Sequence, residues 1–540
     1  VGSEMCIRDR SLRTTVTQGH YTVNNGQYSQ TYADVLVNIN KRIQDFTIVA
    51  NIGASYSGVT SKELGYAGPI RETGIPNLFN VYDLDNAKKR ATQVGWREAT
   101  ESVFASAEVG WKSMLYLTVT GRNDWASQLT HSPQASFFYP SVGLSAVITE
   151  MLKLPDWVDY LKVRGSFSSV GNPYPRFLTY PTYSYDANKQ DWKSQTNYPI
   201  GKLYPERTDS WEIGLDATLF KDFKLSGSFY YANTYNQTFD PRLPVSSGYD
   251  KLYVQTGYVR NYGFEAMLSY GHRWGDFSWD SSFTFSANKN EIVELVKDYV
   301  HPETGKTYNV DKLELKTDEG RGFGKAKFIL KEGGTLGDLY THADLKRDIN
   351  GNILIDDSGN VTAIDNAGDI KLGSVLPKAN LAWNNSFSYK GINAGFLLTA
   401  RLGGIVYSAT QAYLDLYGVS ETSAAARDAG GVWVNGRSRV NPQSFYEVVA
   451  SQSGLPTYYT YSATNLRLQE AHIGYTIPRR WLGNVCDINV SLVGRNLWMI
   501  YCKAPFDPEA VATTNNYYQG IDYFMMPSTR NIGFNIKINF

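Results

Sequence analysis

The sequence predicts an all-β protein, a large antiparallel transmembrane β-barrel, from three observations. Apolar and polar residues alternate along many segments, which is the pattern of a strand with one apolar and one polar face. Tight turns and long polar connections follow one another in strict alternation, as in outer-membrane barrels. No segment approaches the roughly 18 consecutive apolar residues of a membrane-spanning helix.

The alternation is clearest at the C-terminus, where Ile532, Phe534, Ile536, Ile538 and Phe540 share one face. The same period runs through Val35, Val37 and Ile39, through Leu117 and Val119, through Leu161 and Val163, through Phe283 and Phe285, and through Ile488, Val490 and Leu492. We count about seventeen or eighteen such segments, most about ten to fifteen residues long, whereas globular strands average about 5–6 residues. Strands that cross a bilayer need about 9–11, so segment length favours a membrane barrel.

The connections fall into two classes. Tight turns are expected at Gln44-Asp45, Trp111-Lys112, Lys221-Asp222, Gly275-Asp276, Lys390-Gly391 and within 478–484. Long polar connections are expected at 58–97, 125–137, 172–206, 236–258, 290–322, 343–376, 403–464 and 502–528. Two short strands around 332–334 are inferred mainly from this parity. Short turns then lie at one end of the barrel and long loops at the other.

Composition supports this prediction and excludes other classes. The 540 residues include 52 basic and 52 acidic side chains, so no surplus of Lys and Arg exists to bind nucleic acid. Aromatics near strand ends fit the interfacial girdles of a barrel; they are Trp111, Tyr139, Trp279, Trp481, Trp498 and Tyr501. The apolar faces should contact lipid and the polar faces should line a channel or a plugged lumen.

No motif predicts catalysis. The six histidines are scattered, and no Walker loop, G-x-S-x-G elbow or dinucleotide fingerprint is present. The cysteines Cys6, Cys486 and Cys502 lack the spacing of a zinc site or a disulfide framework. We therefore predict no enzyme activity, no cofactor and no structural metal.

One loop has a partial calcium pattern. Asp348, Asn350, Asn352 and Asp356 place oxygen ligands at alternate positions, as a calcium loop does. However, Ile353 stands where that loop needs its turn-forming glycine, and Gly359 stands where its bidentate Glu belongs. A plain Asn-Gly turn is the interpretation that we favour over a metal site.

Several stretches resemble the SusC family of TonB-dependent outer-membrane transporters. They are GRNDW at 121–125, FYPSVGLSAV at 138–147, LKVRGSFSSVGN at 161–172, LYPERTDSWEIGLDATLF at 203–220, VRNYGFEAMLSY at 259–270, ATNLRLQEAHIGYTIP at 463–478, VGRNLWMI at 493–500 and FDPE at 506–509. The match extends over essentially all of residues 11–540 and follows the family order. Residues 1–10, VGSEMCIRDR, do not continue it and are expected to be a non-native scar.

This resemblance implies a parent barrel of 22 strands with an N-terminal plug, in the outer membrane of a Gram-negative bacterium. It implies import of oligosaccharides or peptides, with a SusD-like surface lipoprotein as partner and the TonB complex as energy source. The plug and the TonB box are not found in this sequence, and about four strands are expected to be missing, so residues 11–540 are expected to be an N-terminally truncated barrel.

Two sets of residues are candidates for function within this resemblance. Aromatics in long loops could stack on cargo, or could pack on neighbours or on the lipoprotein; they are Tyr183, Tyr185, Trp192, Tyr458, Tyr459, Tyr461, Tyr517 and Tyr518. The terminal strand resembles the signal that the barrel-assembly machinery recognises, through Phe534, Ile536, Ile538 and Phe540. The same four residues also have a structural explanation as lipid-facing positions.

Two other functions compete with import. A passive porin or an adhesive barrel would share the strand pattern. A secreted β-rich glycan-binding protein would share the aromatic loops, but it could not leave a lipid-facing apolar band in water.

Overall fold

The computed structural model describes residues 19–71, 73, 75, 78–178, 183–186, 191–194, 197–198, 203–239, 251–252, 254–300, 307–315, 324–512 and 519–540. Its main feature is an antiparallel sheet of 15 strands, in which each strand pairs with its neighbours in chain order. The strands are β1 (His20–Ile43), β2 (Phe46–Pro69), β3 (Arg90–Trp111), β4 (Leu115–Ala126), β5 (Ser136–Val147), β6 (Val158–Asn172), β7 (Glu206–Leu219), β8 (Phe223–Phe239), β9 (Val254–Trp274), β10 (Phe277–Glu294), β11 (Ala379–Tyr389), β12 (Ile392–Leu402), β13 (Asn465–Ile477), β14 (Asp487–Cys502) and β15 (Asn531–Asn539).

The predicted parity of connections is confirmed with one exception, since 127–135 at the long-connection end has nine residues and 148–157 at the other end has ten. Short connections at one end of the sheet are 44–45, 112–114, 148–157, 220–222, 275–276, 390–391 and 478–486. Long connections at the other end are 70–89, 127–135, 173–205, 240–253, 295–378, 403–464 and 503–530. Every expected tight turn is among the first set. The connection 148–157 was missed, because its short helix α1 (Ile148–Met151) replaces a recognisable turn.

Over the described residues, the main sheet has 15 strands, fewer than the expected seventeen or eighteen. Residues on both sides of Glu332 form the strands Ala326–Lys331 and Asp338–Thr341 of a separate four-stranded sheet. Phe328, Ile329 and Leu330 are all fully buried, so this segment is buried on both faces and belongs to a globular core. The expected loops 290–322 and 343–376 are consequently parts of one connection. The expected loop 58–97 is also shorter, because β2 and β3 extend to Pro69 and from Arg90.

The two faces of the sheet differ in polarity. On one face, apolar side chains of neighbouring strands lie directly opposite one another, as in the row Ile213, Phe229 and Phe264. All three are exposed. Exposed apolar rows that continue across strands are what a lipid-facing surface requires, and we call this the outer face.

Aromatic side chains border the apolar rows at both ends. At the short-connection end the ring pairs are Trp157 with Phe220, Trp274 with Phe277 and Tyr475 with Trp481. At the other end Phe167 packs on Trp211 and Tyr231 on Tyr262. These rings form two girdles. Tyr139 was wrongly expected there, because it lies on the inner face and donates its hydroxyl to Asp124.

The long connections fold together into a globular unit, which we call the loop cap and define as residues 295–300, 307–315, 324–378, 403–464 and 519–524. Its core includes Phe328, Leu339, Tyr407, Val449 and Ile521. The cap contains the sheet of strands Lys312–Leu315, Ala326–Lys331, Asp338–Thr341 and Ile370–Ser374, the sheet of strands Ile405–Ser408, Thr460–Ser462 and Ile521–Asp522, and the helices α2 (Ala409–Leu416), α3 (Glu421–Asp428) and α4 (Pro442–Val449).

Shorter elements complete the described structure. Small antiparallel pairs join Tyr183–Asp186 to Asp191–Ser194, Val296–Val300 to Thr307–Val310, Asp344–Leu345 to Ala363–Ile364 and Val432–Val434 to Ser438–Val440, and Asn197–Tyr198 pairs in parallel with Lys251–Leu252. None of the described helices has the length and apolar character needed to cross a membrane.

Candidate functional site: the inner face and the loop cap

The inner face of the sheet is polar, and its groups satisfy one another across strands. Arg164 on β6 reaches Asp216 on β7 at 2.5 Å and Glu212 at 3.5 Å. Ser226 on β8 donates to the same Asp216 at 2.7 Å. Gly214 gives the guanidinium room, since a Cβ there would lie 2.6 Å from Arg164 Cζ. A wall of this kind suits a water-filled interior.

A cavity of about 750 Å³ lies against this wall. Its lining includes hydroxyl and amide side chains from four strands, namely Ser226, Ser228, Thr284, Ser286, Asn380 and Thr399. Arg164 and Arg401 contribute positive charge, and Glu265 and Glu509 contribute negative charge. The cavity can therefore hold a polar molecule through hydrogen bonds, without a strong preference for either sign of charge.

The repeated GRN-x-W motif marks equivalent strand ends. Arg122 on β4 pairs with Asp124 at 2.7 Å, and Arg495 on β14 pairs with Glu470 at 3.0 Å. The tryptophans that follow, Trp125 and Trp498, are both exposed. The motif thus places an ion pair close in sequence to an exposed tryptophan at each strand end.

Three of the predicted cargo-contact aromatics are open to solvent. Tyr183, Tyr185 and Trp192 are 64%, 52% and 64% exposed. They lie on the hairpin Tyr183–Asp186/Asp191–Ser194. The rings of Tyr185 and Trp192 are 5.2 Å apart between centroids. Their faces are available to a ligand or a partner protein. Tyr517 and Tyr518 lie outside the described residues.

The other three predicted aromatics are packed in the loop cap. Tyr459 is 2% exposed and donates its hydroxyl to Asp415 at 3.0 Å. Tyr458 packs edge-on against Phe445, and Tyr461 against Phe506. Burial raises the pKa of both Tyr459 and Tyr461. The interpretation as cargo contacts does not hold for Tyr459, because its ring stabilises the cap and presents no open face.

Asp415 is the centre of this packing and was not singled out from the sequence. Besides Tyr459, its carboxylate accepts hydrogen bonds from Gln411, at 3.0 Å, and from Ser420. Ser420 also caps the N-terminus of α3 by accepting from the Ser423 amide at 2.9 Å. One buried carboxylate therefore joins α2, α3 and the segment before β13. Of these contacts, only the N-cap of α3 could have been predicted from the sequence, since Ser is a preferred N-cap residue.

Arg467 on β13 fastens the connection 503–530 to the sheet. Its side chain is 5% exposed, and its Nη2 and Nη1 atoms contact the two oxygens of Asp507 at 2.6 and 3.1 Å. Glu509 lies 3.3 Å from Nη2. Burial by itself would raise the pKa of Asp507, but the hydrogen bonds from Arg467 lower it below its usual value. The FDPE motif at 506–509 thus has a structural role here.

The calcium candidates lie in two successive turns. Asp348 accepts hydrogen bonds from the backbone amides of Asn350 and Asn352 at 2.9 and 2.8 Å, and from the Asn352 side chain at 3.0 Å. The side-chain bond from Asn352 and then the backbone amides lower the pKa of Asp348. Asp356 accepts from the amides of Ser358 and Asn360 in the same way. Within the described residues, no group of three or more His, Cys, Asp or Glu could hold a metal ion. The turn interpretation therefore accounts for these carboxylates.

Comparison with known proteins decides the family. The model of the "TonB dependent receptor-like, beta-barrel" family matches residues 7–497. The chain belongs to the TonB-dependent receptor β-barrel family. This TonB-dependent receptor β-barrel is an outer-membrane protein of a Gram-negative bacterium, and its family consists of transporters.

Curated relatives agree with this assignment. TonB-dependent receptor P3 of Formosa agariphila is 24% identical over 524 residues, which cover 90% of this chain and 50% of that protein. TonB-dependent receptor SusC of Bacteroides thetaiotaomicron is 24% identical over 433 residues, which cover 74% of this chain and 40% of that protein. The TonB-dependent receptor β-barrel described here thus spans about half the length of the curated relatives that it matches.

A solved structure shares the fold. The RagAB peptide transporter superposes with a TM-score of 0.73 at 17% identity, and the match covers 97% of this chain and 56% of that chain. The same transporter in its "closed-closed" state gives a TM-score of 0.74. The likeness establishes that the receptor has this large barrel fold.

Proposed function

We propose that the chain forms the barrel wall and the extracellular cap of an active importer. The importer would take up large nutrients, either oligosaccharides or peptides, and the TonB complex would supply the energy. The observation that carries this proposal is the polar inner face, with its cavity of about 750 Å³, set behind an apolar outer face. Arg164, Asp216 and the hydroxyl side chains of the cavity would offer successive hydrogen bonds to a moving polar cargo.

We further propose that a SusD-like surface lipoprotein docks on the loop cap. Apolar side chains remain exposed around α2 and the segment after Ile521; they are Tyr417, Val419, Phe524 and Met526. Tyr413 and Phe524 pack together at 5.2 Å between ring centroids, so the two segments form one surface. Exposed apolar patches of this kind mark protein interaction sites.

Uptake by whole cells tests the import proposal. A strain that lacks the gene and a complemented strain would be supplied with labelled oligosaccharides and with labelled peptides of similar mass. We expect uptake of one class only in the complemented strain, and we expect it to stop when TonB is deleted. Uptake that continues without TonB would support the passive porin alternative instead. Cell binding without uptake would support an adhesive role.

The secreted alternative is excluded, because the family is located in the outer membrane.

Affinity purification tests the proposed partner. Purification of the receptor from outer membranes should recover a lipoprotein. Loss of that lipoprotein from the Y417A/F524A variant, with uptake also reduced, would place its contact on the cap. Unchanged recovery of the lipoprotein with this variant would show that it does not bind this surface of the loop cap.

We also propose that Phe534, Ile536, Ile538 and Phe540 on and just after β15 serve the barrel-assembly machinery. All four side chains are exposed. Phe534, Ile536 and Ile538 lie opposite Leu492, Val490 and Ile488 of β14. A machinery that recognises the terminal strand would find them accessible before lipid covers them.

A further inference from the structure

The outer face carries a cluster of tyrosines and cations at the long-connection end of β8, β9 and β10. We call it the tyrosine-cation patch, and it consists of Tyr231, Tyr235, Tyr258, Arg260, Tyr262 and Lys289. None of these residues contributes to the cavity on the inner face or to the loop cap core. The patch therefore needs its own explanation.

Strand register fixes the position of the patch relative to the membrane. Phe229 lies opposite Phe264, and two residues further along these strands Tyr231 lies opposite Tyr262, which in turn lies opposite Lys289. Asn233, Arg260 and Glu291 form the next row. Because side chains alternate between faces, all three rows lie on the outer face. The order from apolar row to aromatic row to charged row is that of a membrane–water interface.

The rings and cations of the patch hold one another in place. Tyr235 stacks on Tyr258 at 5.0 Å and Tyr231 on Tyr262 at 6.3 Å between centroids. The Arg260 guanidinium lies 5.5 Å from the Tyr231 ring and 5.6 Å from the Tyr258 ring, and it donates to the Tyr258 hydroxyl at 3.0 Å. Lys289 lies 5.5 Å from the Tyr262 ring. The cations are thus positioned beside the girdle rather than free in solvent.

The hydrogen-bonding capacity of these cations is only partly used. Among the described residues, no carboxylate oxygen lies within 4.0 Å of Lys289 Nζ. The unpaired Arg260 Nε is buried, so only the outer nitrogens of that guanidinium are open to a ligand. Glu291 approaches Arg260 at 4.0 Å, the outer limit of an ion pair. Nearby Arg207 is already paired with Asp209 at 2.8 Å. Arg260 and Lys289 can therefore donate hydrogen bonds to a further anionic partner.

We propose that the tyrosine-cation patch binds the phosphate group of a lipid of the outer leaflet. Lys and Arg side chains at headgroup level attract anionic lipids, and both residues bind phosphate oxygens. The acyl chains would lie along Phe229 and Phe264 below the patch, which are exposed on the outer face. The tyrosine rings would contact the glycerol or sugar part of the headgroup, as interfacial aromatics do.

Native mass spectrometry of the detergent-extracted receptor tests the proposal by counting retained lipopolysaccharide or phospholipid. We expect each of R260Q and K289Q to reduce retention about fivefold, and the double variant more, since each surface cation contributes about 1 kcal/mol. We expect E291Q to increase retention, because it removes the only acidic neighbour of Arg260 within 4.0 Å among the described residues. K41Q is the matched control, since Lys41 lies on the outer face near the short-connection end.

Two results would overturn the proposal. One is equal lipid retention in the wild type and in R260Q/K289Q, with both forms shown to be folded by their heat-dependent shift in gel mobility. The other is displacement of the lipid by millimolar inorganic phosphate, which would indicate a site for free phosphate. Uptake of cargo is a separate readout, and its loss or retention in these variants does not bear on lipid binding.

Discussion

Arg467 shows how one buried charge holds the connection 503–530 against the sheet. Its guanidinium is nearly inaccessible and depends on Asp507 for compensation. Removing one partner of a buried pair leaves an uncompensated charge, which costs about 3–5 kcal/mol. We therefore expect R467Q to free the segment around Asp507, seen as faster hydrogen exchange over 503–512.

The control for this variant is R495Q on the neighbouring strand, because Arg495 is 67% exposed in its pair with Glu470. An exposed pair contributes about 0–1 kcal/mol, so exchange over 503–512 should not change. The double variant R467Q/D507N should recover part of the protection, since it removes both charges. If R467Q and R495Q show the same hydrogen exchange over 503–512, Arg467 does not hold this connection against the sheet.

Asp369 has a comparable role in the loop cap. It contacts Lys312 at 2.6 Å, Lys331 at 2.9 Å and His342 at 2.9 Å, and so joins the two edges of the four-stranded sheet. Hydrogen bonds from Lys312 and Lys331 hold the pKa of Asp369 well below its usual range. Its stabilisation is therefore complete above the unfolded pKa of about 3.9 and is lost as pH falls through the lower folded value.

We expect D369N to lower cap stability by about 1 kcal/mol at pH 7, because an exposed network contributes modestly. The difference from the wild type should shrink below about pH 4, where the carboxylate of the unfolded wild-type chain begins to protonate while that of the folded chain is still ionised. Thermal unfolding followed by circular dichroism between pH 3 and pH 7 measures both effects. D365N, at an exposed ion pair with Lys325, should change little, and a pH-independent loss in D369N would contradict this account.

At the scale of elements, the hairpin Tyr183–Asp186/Asp191–Ser194 groups three exposed aromatics that are open to a ligand. An aromatic contact contributes about 0.5–1.5 kcal/mol beyond its buried area. We expect Y185A/W192A to weaken cargo or lipoprotein binding by at least about fivefold, measured by titration of the purified receptor.

Tyr82, which is 89% exposed in the connection 70–89, provides the matched control. Binding should be unchanged in Y82A. Equal losses in Y82A and Y185A/W192A would show that the hairpin has no specific role and that surface aromatics act non-specifically.

The strand β15 permits a test that separates recognition from packing. Ile538 and Phe540 are both exposed, so both should contribute similarly to lipid contact. If the terminal residue is part of an assembly signal, F540A should reduce the surface-exposed, folded fraction several-fold more than I538A. Equal effects would leave only the packing explanation. Heat-dependent gel mobility and protease access on intact cells measure the folded fraction.

At the scale of the whole molecule, the orientation of the sheet can be measured directly. Phe229 and Ser228 are neighbours on β8 and face opposite sides. With Cys6, Cys486 and Cys502 replaced by Ser, a nitroxide at position 229 should collide with oxygen dissolved in lipid. A nitroxide at position 228 should instead collide with a water-soluble nickel chelate. Equal accessibility at both positions would contradict a lipid-facing and a water-facing surface.

Much of the fold could be predicted because strand patterning is local. A side chain at position i shares its face with i+2, so Phe534, Ile536 and Ile538 indicate their common face without knowledge of any partner strand. Tight turns are also local, and Gln44, Lys112, Lys221 and Lys390 all adopt the left-handed conformation that such turns use. Their alternation with long connections then determines which end of the sheet each belongs to.

The candidate site was less predictable because burial in irregular connections depends on distant partners. Tyr185 and Tyr459 are both loop tyrosines in the sequence, yet one is exposed and the other packs on Asp415, 44 residues away. Arg467 and Asp507 are separated by 40 residues. No local pattern indicates such pairs.

The sequence by itself determined the alternating faces, the parity of the connections and the resemblance to an outer-membrane transporter family. Only the tertiary structure decided that the described residues within 295–378 and 403–464 fold into one loop cap, instead of contributing further strands to the sheet. The physical reason is that Phe328, Ile329 and Leu330 are buried together. A membrane strand would have left alternate side chains to lipid and to the lumen.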